Sequence, residues 1–577
     1  MTNRALFSSL TLAGSRGRSP VILLTIVLFI SSLLYFALLA PERFGAYHDD
    51  GIYATTAKAL ATGQGYKIIS LPSEPPQTKY PPFYPWLLSL IWRVYPGFPE
   101  NVTPLTLLSA ISTLAFMFMS YRYLTSRDYA TRWQALFAVG LAALNWRTMI
   151  LATSMYSEML YAALSVAALE LAERNGLSGS PRTGRLGIFH SSLRTDQVGA
   201  RDVLTGTVIG LAFLTRSSGL TLLGAVALYY AMRRRWKRGF LVVCVASLFV
   251  LGWAAWCYAT NPAADGVNAS YHATYFRDIS GMIKGLQAES NSSALQIILT
   301  ILQQNFFSAI IVSIPTVCAG LSYAAPPGLG AIGGVISACA ILLVLCLVIF
   351  GFVRQLKTGL RLLHIYIVLY LALHLPIPYI SYDRYLIPLL PFLLLFVIIE
   401  LDRAIGLAIK GLKARGQLSQ NLGAGFILLV VGSTVCLAIY GYTSGIRQSF
   451  GSLSAVYARA ADDRQCASWI RANTDPSAVV MSYRDPTFYL YTDRKAAPLT
   501  IVKSPTTGEP VPSLLFNPIS KFGVKYLIVT SVDFDHDYDT DSQQAALKTL
   551  LEQNPNTFVL VYQSADGLSR IYRVDAG

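Results

Sequence analysis

Two adjacent carboxylates, Asp49 and Asp50, open a stretch that reads as an amphipathic helix, with Ile52, Ala59 and Leu60 among its apolar positions. One carboxylate there would cap the helix and complement its dipole. A second repels the first, which favours a bound cation or a raised pKa in one member of the pair. Either state suits a general base acting on a hydroxyl. The pair therefore has two readings, a helix cap or an acid–base site.

The elements that position this pair belong to a membrane. The chain has 577 residues, 53% of them hydrophobic and 13% charged, with mean hydropathy +0.47, against about 25% charged in soluble domains. Runs such as Val21–Ala40 and Ala331–Phe352 have about the 20 residues that cross a bilayer core. The net charge of +15 falls in short loops between apolar runs, which speaks for the positive-inside rule and against nucleic acid. Arg4, Arg16 and Arg18 place the N-terminus in the cytoplasm, and no cleavage site follows the first span, so it is expected to stay. Five of the seven cysteines, Cys244, Cys318, Cys339, Cys346 and Cys436, lie in apolar stretches without metal-type spacing and read as small buried hydrophobes.

Hydropathy gives about eleven spans, at 20–40, 104–124, 133–150, 153–172, 203–215, 218–232, 239–258, 331–353, 362–379, 385–402 and 424–443. An odd number puts the C-terminal tail outside. Counting Leu295–Leu321 as a span would place the basic loop Arg354–Arg361 outside, so this segment reads as interfacial or re-entrant. Val203–Met232 reads as one long helix or as two short ones broken at Thr215–Gly219. A hairpin of two would leave Arg216 below the outer surface, and an arginine there is a functional candidate by default.

The expected fold is thus an α-helical polytopic membrane domain over 1–444, with outer loops at 41–103 and 259–300, followed by a small α/β soluble domain over 445–577. In that tail, Ala478–Ser482, Phe488–Thr492, Lys525–Thr530, Thr557–Tyr562 and Arg570–Val574 read as strands, and Tyr457–Asn473 and Ser542–Glu552 as helices.

Several motifs carry a family resemblance. The acidic pair after the first span, Tyr53, the helix ending Ala-Thr-Gly-Gln-Gly-Tyr, and Tyr80-Pro-Pro-Phe-Tyr-Pro-Trp resemble the first outer loop of GT-C glycosyltransferases. The likeness is nearest to the branch of protein O-mannosyltransferases and lipid A aminoarabinose transferases. Ser154–Glu158 is similar to the family's second acidic position, Gly210–Arg216 to its Gly-Leu-Ala-x-Leu-Thr-Arg/Lys hairpin, and Arg384-Tyr385-Leu386-Ile387-Pro388 to its late Arg-Tyr-x-x-Pro segment.

The resemblance implies inverting transfer of a sugar from a polyprenyl-phosphate carrier to a lipid, polysaccharide or protein acceptor. The setting it implies is the outer face of a membrane, expected to be a bacterial inner membrane with active site and tail in the periplasm. It carries the catalytic base onto Asp49, with Asp50 as the adjoining acid and Glu158 assisting. Lys79, Arg216 and Arg384 would hold the leaving phosphate, and Tyr53, Tyr80, His272 and Arg277 would line a groove. A divalent metal ion on Asp49 and Glu158 is the one cofactor it allows. One departure bears on that metal: the aminoarabinose transferases have Glu-Lys before the double proline, where this chain has Lys79-Tyr80. Arg384 has a plainer reading, snorkelling beside Asp383. A lipid-linked saccharide flippase, or a non-catalytic subunit of an envelope assembly, would share the spans and buried cations without needing the acidic pair.

Overall fold

The computed structural model describes residues 19–46, 48–176, 198–260, 279–280, 283–284, 287, 293–320, 330–377, 382–413, 418–451, 453–499, 512–530, 540–567 and 569–575. His272 and Arg277 lie outside them. Helix α1 (Ser19–Leu38) leads into a loop that carries α2 (Asp49–Ala61) and α3 (Phe83–Val94). The bundle continues with α4 (Val102–Ser126), α5 (Arg132–Ala143), α6 (Trp146–Ala152), α7 (Glu158–Gly176), α8 (Ala200–Thr215), α9 (Leu220–Met232) and α10 (Trp236–Ala259). It is completed by α11 (Ala294–Ala319), α12 (Gly330–Lys357), α13 (Leu362–His374), the single turn α14 (Tyr382–Tyr385), α15 (Leu390–Lys413) and α16 (Leu418–Phe450).

Among the described residues, six helices (α1, α4, α10, α11, α12 and α16) are long and apolar enough to cross a bilayer. A seventh is added if α5 and α6, bent by 63°, form one span. The eleven spans expected from hydropathy include shorter helices, such as α9 and α13, that fall below this length. Their apolar surface is spent on neighbours: Val226, Tyr230, Leu363 and Tyr366 are buried in one core with Phe116, Tyr161 and Phe392. Long helices with little buried surface, such as α1 and α10, present theirs to lipid, and the chain is an integral membrane protein. Cysteines 244, 339, 346 and 436 lie on such surfaces and are exposed, contrary to the buried expectation; Cys318 is buried.

The two ends of the bundle differ. At the end rich in basic residues, Glu173 accepts from Tyr129 Oη at 2.8 Å, and the Arg361 guanidinium lies 3.6 Å from the Tyr129 ring centroid. Helix α13 starts there, and its C-terminal His374 reaches the other end. Helix α11 touches that second end twice: Asn305 Nδ2 donates to Leu375 O (2.7 Å) and Ile377 O (2.8 Å), and Val317 O accepts from Asn145 Nδ2 (2.8 Å). Those contacts are separated along α11 by roughly 18 Å at 1.5 Å per residue. The segment expected to be interfacial or re-entrant is long and apolar enough to span.

The tail begins with α17 (Leu453–Asn473), then β1 (Val479–Ser482), α18 (Asp485–Thr492), β2 (Ala496–Pro498), α19 (Ser513–Phe522), β3 (Val524–Val529), α20 (Thr540–Gln553), β4 (Phe558–Gln563) and β5 (Arg570–Val574). The sheet order is β2-β1-β3-β5-β4, parallel across β2-β1-β3 and antiparallel across β3-β5-β4. Phe488–Thr492, expected as a strand, is helical, and the strand is the short Ala496–Pro498. Pro486 within the first turn of α18 fits its start, since proline needs no partner for a backbone N–H there.

The tail shares a core with the loop between α1 and α4. Phe44, Tyr53, Tyr84 and Leu88 from the loop are buried with Cys466, Val480, Phe488 and Ile571 from the tail. Main-chain and charged contacts seal the joint: Ala496 N donates to Ser70 O (2.8 Å), and Lys495 Nζ to Ile69 O (2.7 Å).

Candidate active site

Asp49 is the first residue of α2, and Tyr53 lies one helical turn on along the same face. Behind them, loop residues 66–82 fold back so that Tyr80 Oη donates to Asp49 Oδ1 at 2.6 Å, and the Tyr53 and Tyr80 rings meet edge to face with centroids 5.1 Å apart. Lys79, next to Tyr80, is half-buried, and its backbone N–H donates to Gln77 Oε1.

The cations arrive from two breaks in the helical bundle. Thr215 ends α8, and Arg216 adopts an extended conformation (φ −150°, ψ 137°) before the turn Ser217–Gly219 starts α9. The hairpin reading is thus the correct one. Gly219 is required there, because a Cβ would sit 2.4 Å from Phe213 N. Arg216 Nη1 lies 2.9 Å from Glu158 Oε1 and donates to Ser157 Oγ at 3.1 Å, and Ser157 Oγ also meets Tyr53 Oη at 2.9 Å. Arg384, from α14, donates through Nη2 to Asp49 Oδ2 (2.8 Å) and through Nε to Glu158 Oε1. Its guanidinium carbon lies 4.0 Å from the Tyr156 ring centroid. The neighbour Asp383 pairs with Arg147, so the plainer partner expected for Arg384 is engaged elsewhere.

Asp49, Glu158, Arg216 and Arg384 therefore form one network, two carboxylates against two guanidiniums. Glu158 is almost wholly buried (1% exposed), while Asp49 and Arg384 keep about a fifth of their side chains accessible (21% and 22%). Burial by itself would raise the Asp49 pKa, but Arg384 and the Tyr80 hydrogen bond outweigh it and hold the carboxyl below its usual range.

Asp50 faces another way. Its Oδ2 accepts from Gly45 N and its Oδ1 from Gly51 N, both at 2.8 Å, and it is buried. Burial, which outweighs these two hydrogen bonds, pushes its pKa up to about 6. The two members of the pair thus meet different partners: Asp50 ties the turn before α2, and Asp49 faces the cations.

Among the described residues no group of three or more His, Cys, Asp or Glu could hold a metal. The Asp49 and Glu158 charges are each met by guanidinium. Of the two, only Glu158 Oε2 is buried with no hydrogen-bond partner.

Sequence reasoning passed over several residues here. His374 Nδ1 donates to Tyr370 O (2.7 Å), since a carbonyl only accepts, which leaves Nε2 to accept from Ser218 Oγ (3.0 Å). That bond braces the turn carrying Arg216. Beside the network, an apolar groove of about 460 Å³ opens between the loop and helices α8 and α10, lined by Tyr66, Phe83, Trp86, Leu248, Trp253 and Trp256 among others. Tyr66 Oη donates to Tyr80 O (2.7 Å), so a single residue, Tyr80, separates groove from carboxylate.

Comparison with solved structures places this arrangement. The chain superposes on the oligosaccharyltransferase AglB of Archaeoglobus fulgidus, in complex with an inhibitory peptide and a dolichol-phosphate, with TM-score 0.51 and 14% identity over 95% of this chain and 74% of that one. It also superposes on ArnT of Cupriavidus metallidurans in the apo state, with TM-score 0.50 and 15% identity over 97% and 98%. The chain has the GT-C fold. No family model matches its sequence, and no curated protein matches it in sequence.

Proposed function

We propose that this GT-C protein transfers a sugar from a polyprenyl-phosphate carrier to an acceptor hydroxyl at the outer face of the membrane, with inversion and with Asp49 as general base. The observation that carries the reading is the adjacency of an ionised carboxylate, two arginines and an apolar aromatic groove, joined through Tyr80.

Each part answers one demand of the reaction. The groove gives a long isoprenoid tail a surface to bury. Asp49, kept ionised by Arg384 and Tyr80, takes the proton from the acceptor hydroxyl as its oxygen bonds to the anomeric carbon. The bond between that carbon and the phosphate oxygen breaks on the opposite face, and its electron pair leaves with the phosphate. A guanidinium has five N–H donors, and the carboxylates engage Nε and Nη2 of Arg384 but only Nη1 of Arg216. The remaining donors are available to the charge growing on the leaving oxygen. Glu158 fixes both arginines, and Lys79, beside Tyr80, is a further cation for the phosphate. The acceptor is a lipid, polysaccharide or protein, and the membrane that of a bacterium, facing the periplasm.

The test is transfer of label from radiolabelled polyprenyl-phosphate sugars to an envelope extract by the purified protein in lipid vesicles. The wild type should transfer and Asp49→Asn should lose at least ~10²-fold in rate, the lower range of general-base effects. Transfer undiminished in Asp49→Asn removes this residue from the mechanism; no transfer from any donor favours transport or binding instead.

A further inference from the structure

The tail packs along the helix that begins at Asp49, with Lys58 Nζ 3.2 Å from Asp493 Oδ1 near its C-terminal end, and it also reaches the turn immediately before Asp49. That turn is conformationally demanding, since Gly45 has φ +86° and His48, a non-glycine residue, has φ +59°. With ψ −48°, His48 lies in a sparsely populated region of backbone space, which a side-chain-bearing residue keeps only where its surroundings hold it.

What holds it comes from below and from above. Below, Asp50 accepts the Gly45 and Gly51 N–H groups. Above is the tail segment Tyr483–Thr487. The fully buried Asp485 carboxylate accepts from His48 Nε2 at 3.4 Å, and the Tyr483 ring lies 6.1 Å from the imidazole. Thr487 and Pro486 press on the glycines so closely that a Cβ at Gly45 would fall 2.5 Å from Thr487 Cγ2, and one at Gly51 would fall 3.1 Å from Pro486 Cβ.

The segment is itself rigid. Arg484 is buried and bidentate on Asp463 (2.8 and 2.6 Å), with a further bond to Thr530 Oγ1 (3.0 Å). Its carbonyl accepts from Thr487 N and Phe488 N, which closes the first turn of α18.

We propose that the C-terminal domain is a positioning element for the transfer reaction: the Asp485–Thr487 turn, through His48 and the two glycines, sets where Asp49 stands against Arg384 and Tyr80. The proposal rests on the reading of Asp49 as the base. His48, Asp485 and Thr487 are positioning residues, touching neither donor nor acceptor, and the tail serves geometry rather than acceptor capture.

The test compares full-length wild type, Asp485→Ala, the conservative Asp485→Asn, and His48→Asn in lipid nanodiscs. Two readouts are taken: transfer kinetics with donor and acceptor varied separately, and backbone amide exchange over residues 48–56. Asp485→Ala should lower kcat about tenfold with both KM values within about twofold, and speed exchange over 48–56 by about tenfold. Asp485→Asn, which keeps an acceptor oxygen for His48, should restore most of both, and His48→Asn should resemble Asp485→Ala. Unchanged exchange and unchanged kcat in Asp485→Ala and His48→Asn would overturn the proposal, as would a rise confined to the acceptor KM. If Asp485→Ala does not fold, His48→Asn decides by the same two readouts. Amide exchange does not depend on turnover, so a wild type without transfer defeats the reading of Asp49 as base while exchange still decides whether the tail holds the turn.

Discussion

Replacing Arg384 with glutamine probes the site at its centre, because one guanidinium sets the charge state of Asp49 and, in the proposed reaction, faces the leaving group. In the wild type, burial pulls the Asp49 pKa up, while Arg384 at 2.8 Å and Tyr80 at 2.6 Å pull it down and prevail. Removing Arg384 leaves burial opposed mainly by one hydrogen bond. An opposite charge this close lowers a carboxyl by about 1–3 units, or roughly 1.4–4 kcal/mol, so Asp49 should rise by that amount. The base must be ionised, so transfer is lost as pH falls through its pKa. That acid limb lies below the ordinary 3.8 in the wild type and should lie at least about one unit higher in Arg384→Gln. At pH 8, where Asp49 is ionised in both, loss of a cation from the leaving phosphate should lower kcat by ~10²–10³-fold. Glu158 keeps Arg216 at 2.9 Å, and Asp49, about a fifth exposed, keeps the Tyr80 hydrogen bond, so the variant should fold. The assay is kcat and kcat/KM for label transfer from about pH 2.5 to pH 9. An acid limb in the same place as the wild type, with kcat reduced, would show that Asp49 is not the titrating base.

Other outcomes follow from the same geometry. Asp50, raised to about 6, binds a proton in the folded state over a range where the unfolded chain has released it. Its contribution to stability is therefore full below about pH 4 and is lost as pH rises through about 6, by up to ~3 kcal/mol; Asp50→Asn should flatten that slope in thermal unfolding, and a wild-type slope unchanged in the variant would refute the assignment. Gly45→Ala should destabilise by more than the ~1–2 kcal/mol of a left-handed alanine, because of the 2.5 Å approach to Thr487. Thr487→Ala should recover part of that loss in a double-mutant cycle of unfolding temperatures. Trp253→Ala, in the groove, should raise KM for long-chain donors and leave kcat and the KM of short-chain donors within about twofold, measured with donors of two isoprenoid lengths.

The features legible in the sequence were those with a local signature. Asp49, Tyr53 and Tyr80 fall within one loop, and the amphipathic spacing after Asp50 gave the helix that aligns the first two. The break at Arg216 was readable because Thr-Arg-Ser-Ser-Gly interrupts an apolar run too long for one short helix. Contacts made across the chain were not readable. Arg384 meets Asp49 from 335 positions away, and nothing near Arg384 distinguishes that partner from the adjacent Asp383. His374 looked like the end of an apolar helix, and its bond to Ser218 depends on how α9 and α13 pack. The strand at Phe488–Thr492 was misread because its aromatic residues suit either element, and burial against the loop core favoured the helix. The role of Asp50 was hidden because its partners are backbone N–H groups of two glycines.

The joint between loop and tail also bears on how the protein is made. His48 and Asp485 are separated by 437 positions, so at ~5–20 residues per second the loop waits roughly 20–90 s for the segment that covers it. During that time Phe44, Tyr53 and Tyr84 lack the tail half of their core. The nascent chain therefore presents an aromatic surface that its own tail covers only at the end of synthesis, and the turn before Asp49 gains its last neighbours late in the life of each molecule.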